Sequence, residues 1–141
     1  MRAESASRVT SAAGVVVAAI VLVSACGSST RATTGSPTAV QLGAGLVQAK
    51  PCLVCHTTTG APAAGPTFAG LAGSTVKLSD GTTVTADDAY LKRSILDPSA
   101  QTVAGFPKGL MAKIVKPYSI SPRQADQIVA FLHTLARSGN H

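Results

Sequence analysis

The chain has 141 residues, 12 Lys and Arg against 6 Asp and Glu, and a formal net charge of +6 at pH 7. Only 4% of the residues are aromatic and the basic residues form no continuous tract, which argues against nucleic acid as the partner. The length suits one small domain, whose core would be thin without a bound apolar group.

The first 25 residues have the pattern of an export signal. Arg2 and Arg8 precede an uncharged run over residues 9–25, whose apolar centre lies at residues 15–23. This centre is shorter than the ~20 residues that span a bilayer, so a processed leader is favoured over the alternative of a short membrane anchor. We therefore interpret residues 1–25 as a signal peptide.

The segment Val23-Ser24-Ala25-Cys26 resembles the signal-peptidase box of bacterial lipoproteins. This resemblance implies that Cys26 becomes a lipidated mature N-terminus, which accounts for an odd third cysteine in an exported protein. Two or three acyl chains would hold the protein at the outer face of the cytoplasmic membrane, at about 0.8 kcal/mol per buried methylene. Residues 26–38 are predicted to form a flexible tether, because they are rich in small and polar residues without apolar periodicity.

Residues 39–141 are assigned to one domain, without a repeat or a second domain. Residues 39–50 are predicted to form a short helix that Pro51 ends. Gly43 and Gly45 either weaken this helix or allow another helix to approach it closely.

The next five residues, Cys52-Leu53-Val54-Cys55-His56, have the pattern for covalent attachment of c-type haem. Two thiols three residues apart can form thioethers with the two vinyl groups of one porphyrin, and the adjacent imidazole can then bind the iron. The sequence therefore predicts one covalently bound haem c, with His56 as an iron ligand.

Two other kinds of site share parts of this pattern. A thiol redox pair has the same Cys-x-x-Cys spacing, but it is expected between a strand and a helix, whereas Pro51 precedes the motif and Thr57-Thr58-Thr59-Gly60 follows it. A structural zinc site normally needs four protein ligands, and the chain has no second Cys-x-x-Cys and no His-x-x-x-His pair. Both alternatives fit the sequence less well than haem does.

The segment Gly65-Pro66-Thr67-Phe68-Ala69-Gly70-Leu71 after this motif resembles the corresponding part of class I cytochrome c. The resemblance implies a mostly α fold with helices around one covalent haem. It also implies that the carbonyl of Pro66 accepts the second ring N–H of His56 and fixes its tautomer. In this family the first and last helices cross near the haem, which makes three apolar residues candidate core contacts: Leu46, Phe131 and Leu135.

A small β-hairpin is predicted as an insertion in this fold. Residues 75–85 alternate between apolar and polar around Asp80-Gly81, a strong hairpin signal. Thr85 is then predicted to cap a helix that carries Asp87 and Asp88 in its first turn. The order of these elements is most similar to the cytochrome c domain fused to subunit II of caa3-type cytochrome oxidases, without the copper-site domain.

The sixth iron ligand separates an electron carrier from a ligand-binding or peroxidatic centre. The family resemblance assigns this role to Met111, in a predicted loop over residues 105–111. The family commonly has proline directly after this methionine, whereas Ala112 follows here. The alternative is that Met111 fills a gap in the core.

The last helix is predicted to start at Ser121-Pro122-Arg123-Gln124, a capping box with proline at the first helical position. His133 lies off the apolar face of this helix, so we expect it to be exposed rather than a rival iron ligand. His141, at the terminus, is expected to be free. The apolar face comprises Ile128, Phe131, Leu132 and Leu135.

These features predict a membrane-tethered monohaem electron carrier without enzymatic activity. Its partners would be redox proteins such as a terminal oxidase or an upstream cytochrome complex. Lys50, Lys108 and Lys113 could steer docking onto an acidic partner, or they could form an ordinary solvated surface. The alternative functions are a haem-based gas sensor or peroxidase with an open sixth position, and the electron-accepting subunit of a dehydrogenase complex.

Overall fold

The computed structural model describes residues 36–135, which are mostly helical, as predicted. The proposed signal peptide, Cys26 and His141 lie outside this range. Within it, no helix combines the length and the apolar character that crossing a membrane requires. The elements are α1 (Ala39–Ala49), a 3-10 helix (Pro51–Val54), β1 (Thr75–Lys77), β2 (Thr83–Thr85), α2 (Asp88–Leu96), α3 (Leu110–Val115), a second 3-10 helix (Lys116–Tyr118) and α4 (Pro122–Leu132).

Helix α1 begins with a capping box that the sequence analysis did not predict. The Thr38 hydroxyl oxygen accepts the N–H of Gln41 at 3.2 Å, and the Gln41 side chain accepts the N–H of Thr38 at 2.9 Å. These two bonds satisfy donors that the first turn of a helix leaves unpaired. The helix ends at Ala49 with Lys50 as its C-cap, and Pro51 opens the next element, close to the predicted boundary.

The first and last helices pack against each other, as the family resemblance implied. Helix α4 has the predicted capping box, since Ser121 and Gln124 exchange hydrogen bonds of 3.3 and 2.9 Å. Gly43 is buried where the helices meet, and a Cβ atom there would lie 1.9 Å from the carbonyl oxygen of Gln127. Gly43 therefore allows the close approach of α4 that the sequence left as one possibility. Gly45, in contrast, faces open space.

The hairpin prediction is confirmed, but the predicted cap of the following helix is wrong. Strands β1 and β2 are antiparallel and Thr85 pairs with Thr75, so Thr85 is still part of the sheet. The chain leaves the sheet at Ala86, and Asp87 caps α2 by accepting the N–H of Tyr90 at 2.8 Å.

The core lies between α1, α2, α4 and the hairpin. Leu46, Phe131 and Leu135 are partly buried and pack against it, as expected, although Leu135 lies beyond the end of α4. The buried cluster consists of Val47, Phe68, Val76, Leu78, Ala86, Leu91, Ile95, Ala125, Ile128, Val129 and Leu132.

Candidate functional site

The turn that follows α1 places both cysteines and the histidine of the Cys-x-x-Cys-His motif on one cleft. The carbonyl of Cys52 accepts the N–H of Cys55 at 3.3 Å and that of His56 at 3.0 Å, which closes the turn. The two residues between the cysteines point out of the fold, with Leu53 45% and Val54 73% exposed. The motif thus presents its three reactive side chains inward and its spacer outward.

The cleft is large and mainly apolar. Its empty volume is about 1260 Å³, including the space open to solvent. Its walls come from the haem-motif turn, the Gly65-Pro66 loop, α2, α3 and α4. Apolar side chains that line it include Leu71, Leu91, Ile95, Phe106, Ile114, Ile128 and Leu132. The cleft is thus an apolar space between the helices that the side chains of the small core do not fill.

His56 is held from two sides. Its Nδ1 lies 2.6 Å from the carbonyl oxygen of Pro66, and because a carbonyl can only accept, Nδ1 carries the proton. The predicted Pro66 contact is therefore present, and it leaves the Nε2 lone pair free to bind a metal. The ring of Phe68 stacks on the imidazole, with centroids 4.5 Å apart and planes inclined by 14°.

Gly65 makes room for this arrangement. A Cβ atom at Gly65 would lie 2.9 Å from Cε1 of His56, closer than Cβ atoms approach other atoms, and 3.1 Å from Nδ1, which is tighter than an ordinary contact. The Gly-Pro pair therefore has two separate tasks. Gly65 lets the backbone approach the imidazole, and Pro66 supplies the hydrogen-bond acceptor.

The protonation of His56 suits a metal ligand. Burial lowers the pKa of His56, and the hydrogen bond to the Pro66 carbonyl only partly opposes this shift. The imidazole is therefore neutral at pH 7, as iron ligation requires.

The cysteines do not resemble a reactive redox pair. Burial raises the pKa of the Cys52 thiol, although Lys50 and the local backbone act in the opposite direction. Redox-active Cys-x-x-Cys pairs instead have a lowered thiol pKa. Cys52 and Cys55 are not joined by a disulfide. Within residues 36–135, no group of three or more His, Cys, Asp and Glu side chains is placed to hold a metal ion, so the described part offers no zinc site of that kind.

Thr67, which the sequence analysis did not single out, organises the loop beside His56. Its hydroxyl lies 3.0 Å from the Thr57 carbonyl oxygen and 3.0 Å from the Thr57 hydroxyl. It also accepts the N–H groups of Gly60 and Ala69 at 3.1 and 3.2 Å. Since Thr67 directly follows Pro66, these bonds fix the backbone whose carbonyl orients His56. The sequence carried no signal for this role, because threonine is common in loops.

Met111 lines the same cleft as His56 and both cysteines, but it does not lie in a loop. It is the second residue of α3, which starts after Gly109 in the left-handed conformation with φ of 73°. Ala112, the third residue of this helix, has high helix propensity.

His133 is exposed, as predicted, and is not among the residues that line the cleft. Its Nε2 lies 2.6 Å from a carboxylate oxygen of Asp88, an exposed pairing between α4 and α2 that the sequence analysis missed. Among the described residues, Met111 is thus better placed than His133 to face a ligand bound in the cleft.

The cleft also has polar wall residues that motif analysis did not find. Tyr90 and Ser94 face it from α2, and Gln101 and Thr102 follow in the next loop. Burial raises the pKa of Tyr90, so its phenol stays protonated and can donate a hydrogen bond. The four-residue spacing of Tyr90 and Ser94 on a helix was the available signal for a shared face.

These residues fit covalently bound haem. Two unbridged thiols and a neutral imidazole with a free Nε2 lie on one large apolar cleft, the donor set that haem c attachment uses.

Comparison with curated protein sequences gives no significant match. The family model described as Cytochrome c, in contrast, matches residues 40–136, which is more than half of the chain and includes every residue of the cleft. Proteins of this family bind haem c through a Cys-x-x-Cys-His motif, which Cys52, Cys55 and His56 provide here. The chain therefore belongs to the cytochrome c family and is a haem-based electron-transfer protein.

Proposed function

We propose that this cytochrome carries single electrons in a respiratory chain, with its iron held between His56 and Met111. One observation supports this ligand pair above all: both side chains line one cleft together with the two attachment cysteines. A thioether and an imidazole together give a higher reduction potential than two imidazoles, which suits a donor near the oxidase end of such a chain.

Each residue has a distinct part in this proposal. Cys52 and Cys55 hold the porphyrin, and His56 presents Nε2 to the iron while Pro66 fixes the ring through Nδ1. Leu91, Ile128 and the other apolar wall residues exclude water, which keeps the surroundings similar in both charge states. Bound haem supplies the one-electron couple between ferric and ferrous iron.

A potentiometric titration of the haem-loaded protein tests the carrier role. We expect reversible reduction by one electron, with a slope of about 59 mV per tenfold change in the ratio of the two forms. The absorption spectrum should indicate six-coordinate low-spin iron at both ends of the titration. A five-coordinate ferrous end state would contradict the proposal and favour a sensor or a peroxidase.

The proposal includes a lipid anchor on Cys26 at the outer face of the cytoplasmic membrane. The resemblance of residues 23–26 to a lipoprotein box supports it. The test is to express wild-type protein and Cys26→Ser in a bacterium and wash the membranes with salt. Wild-type protein should stay with the membranes and Cys26→Ser should be released. Retention of both would show that lipid on Cys26 is not the anchor.

We further propose that the partner, such as a terminal oxidase, docks through an acidic surface. Among the described residues, Lys108 and Lys113 are exposed and take part in no ion pair. Both lie within three residues of Met111, which lines the cleft. Lys50, in contrast, uses its ammonium group within the fold. Exposed lysines of this kind raise the association rate at low salt.

Replacing Lys108 and Lys113 together by glutamine should reduce the salt dependence of electron transfer to isolated respiratory membranes. Lys77→Gln is the matched control, because Lys77 is exposed on the hairpin, away from α3. An equal salt dependence in the wild type and the double variant would rule out steering by these lysines.

A further inference from the structure

The segment that carries Met111, residues 107–120, forms one wall of the cleft. Seven of its residues line the cleft, among them Leu110, Met111, Ile114 and Ile120. Its backbone hydrogen bonds stay within α3 and its flanking turns. Across residues 36–135, a single hydrogen bond joins this segment to the rest of the fold, and it runs from the Lys50 ammonium to the carbonyl oxygen of Tyr118 at 3.3 Å. The segment also has apolar contacts with the fold, such as the packing of Ile120 against the core.

Lys50 contacts Tyr118 in a second way. Its ammonium nitrogen lies 5.9 Å from the centroid of the Tyr118 ring, within the range of a cation–π interaction. Lys50 is the C-cap of α1 and directly precedes Pro51 and Cys52, so it is fixed to the part of the chain that attaches the haem. The Lys50–Tyr118 contact therefore links the attachment turn to the methionine wall, 68 residues apart.

The Tyr118 end of this contact has little other support. Tyr118 is 44% exposed, and among the described residues no side chain other than that of Lys50 hydrogen-bonds to its carbonyl oxygen. Ser119 follows with φ of 43°, and within residues 36–135 it is the only residue other than glycine with a positive φ. A residue other than glycine keeps this left-handed conformation only where its surroundings hold it. Two contacts flank Ser119: the Lys50 contact to Tyr118 before it and the packing of Ile120 against the core after it.

We propose that Lys50 is a positioning residue for the sixth iron ligand: by binding Tyr118, it keeps the wall of residues 107–120 closed, so that Met111 and not a small external ligand occupies the iron. This inference rests on the proposed ligation by Met111. Lys50 does not touch the iron in this account. It sets the fraction of molecules whose wall is open, and an external ligand binds in proportion to that fraction.

Imidazole binding to the ferric, haem-loaded full chain tests the proposal. Lys50→Gln should bind imidazole about three- to tenfold more tightly than wild type. A tenfold change in affinity corresponds to about 1.4 kcal/mol. Lys77→Gln makes the same charge change on an exposed hairpin lysine and should bind like wild type. Lys50→Arg keeps a cation and hydrogen-bond donors, so it should recover most of the wild-type behaviour.

Two further measurements separate this role from a general loss of stability. Amide hydrogen exchange in residues 110–120 should become faster in Lys50→Gln by a similar factor, whereas exchange in α4 should not change. Tyr118→Leu removes the ring but keeps the carbonyl acceptor, and it should raise imidazole affinity by a smaller factor of about two to five.

Comparing Met111→Ala with Lys50→Gln separates ligation by Met111 from the positioning role of Lys50. If Met111→Ala and the wild type bind imidazole equally well, Met111 is not a ligand and the proposed function fails. If Met111→Ala binds much more tightly than the wild type, but Lys50→Gln and Lys77→Gln both behave like the wild type, ligation stands and the positioning role of Lys50 is overturned.

Discussion

Gly43 of α1 lies directly against the backbone of Gln127 in α4. A Cβ atom at Gly43 would come within 1.9 Å of the Gln127 carbonyl oxygen and 2.9 Å of the Cβ of Phe131. Neither contact can be relieved by rotating a side chain. The Gln127 oxygen belongs to the backbone, and the Phe131 Cβ is bonded directly to its own backbone. The two helices can approach this closely only because residue 43 has no side chain.

Gly43→Ala should therefore force α1 and α4 apart and lower the free energy of unfolding by about 1–3 kcal/mol, or somewhat more. Gly45→Ala is the matched control, since it makes the same change two residues along the same helix, with nothing within 4 Å. The control should stabilise the protein by about 0.5–1 kcal/mol through helix propensity. Denaturant unfolding of both holoproteins measures this, and equal stabilisation by the two alanines would contradict the described helix contact.

Gly65→Ala should displace the imidazole of His56. The new methyl group would lie 2.9 Å from Cε1, so the ring or the loop must move and the bond from Nδ1 to Pro66 should lengthen. The NMR signals of the His56 ring protons in the haem-loaded protein should shift from their wild-type positions. Gly45→Ala adds a methyl group far from the ring and should leave these signals in place. Unchanged His56 signals in Gly65→Ala would mean that the loop does not pack on the ring as described.

Thr67→Val should loosen the loop that aims the Pro66 carbonyl at His56. Valine keeps the shape but leaves the N–H groups of Gly60 and Ala69 without their acceptor, which costs about 1–3 kcal/mol for buried groups and less here, where Gly60 is exposed.

A weaker hydrogen bond at Nδ1 makes His56 a less basic ligand, which favours ferrous iron. The reduction potential of Thr67→Val should therefore rise, on the order of a few tens of millivolts. For a one-electron couple, about 59 mV corresponds to a tenfold change in the equilibrium constant for reduction. Thr67→Ser keeps the hydroxyl and should retain the wild-type potential. If serine and valine give the same potential, the hydroxyl has no part in positioning Pro66.

The hairpin should lose stability in acid because of Asp80. Hydrogen bonds from the Thr82 hydroxyl at 2.6 Å and the Thr82 N–H at 2.9 Å lower the pKa of Asp80 below its ordinary value of 3.8. A carboxyl group whose pKa is lower in the folded state stabilises it above the unfolded-state pKa, and that contribution disappears as the pH falls through the folded-state pKa. Thr82→Val removes the hydroxyl donor, so the pKa of Asp80 should move back up. NMR titration of the carboxyl carbon measures both values, and an unchanged pKa in Thr82→Val would rule out the hydroxyl as the main cause.

Local sequence signals were sufficient for the features set by neighbouring residues. The capping box at Ser121, the turn at Asp80-Gly81 and the haem motif each lie within a few residues, and the structure has all three. The contact between Pro66 and His56 came from the family resemblance, because a Gly-Pro pair alone predicts only a turn.

The wrong predictions concern residues where one element ends and the next begins, because neighbouring residues there could each start the helix. Thr85 and Asp87 are both good helix caps, but pairing of Thr85 in the sheet leaves Asp87 as the cap. Met111 was expected in a loop, whereas the left-handed turn at Gly109 starts a helix just before it. Propensity does not tell which of two possible starting residues tertiary structure selects.

The features that the sequence did not reveal join distant residues or use common residue types. Lys50 and Tyr118 are 68 positions apart, and nothing in either segment indicates the other. Thr67 and the stacked ring of Phe68 act through geometry that appears only once the loop is folded.

We propose that Met111 closes the sixth position of the iron, and the binding of carbon monoxide tests this ligation. The visible spectrum of the reduced, haem-loaded protein should be that of a c-type cytochrome and should not change when the gas is added. Met111→Ala should show a clear shift under the same conditions, which proves that the assay detects an open iron. A clear shift in the wild-type protein would contradict the account and point to a gas sensor or a peroxidase.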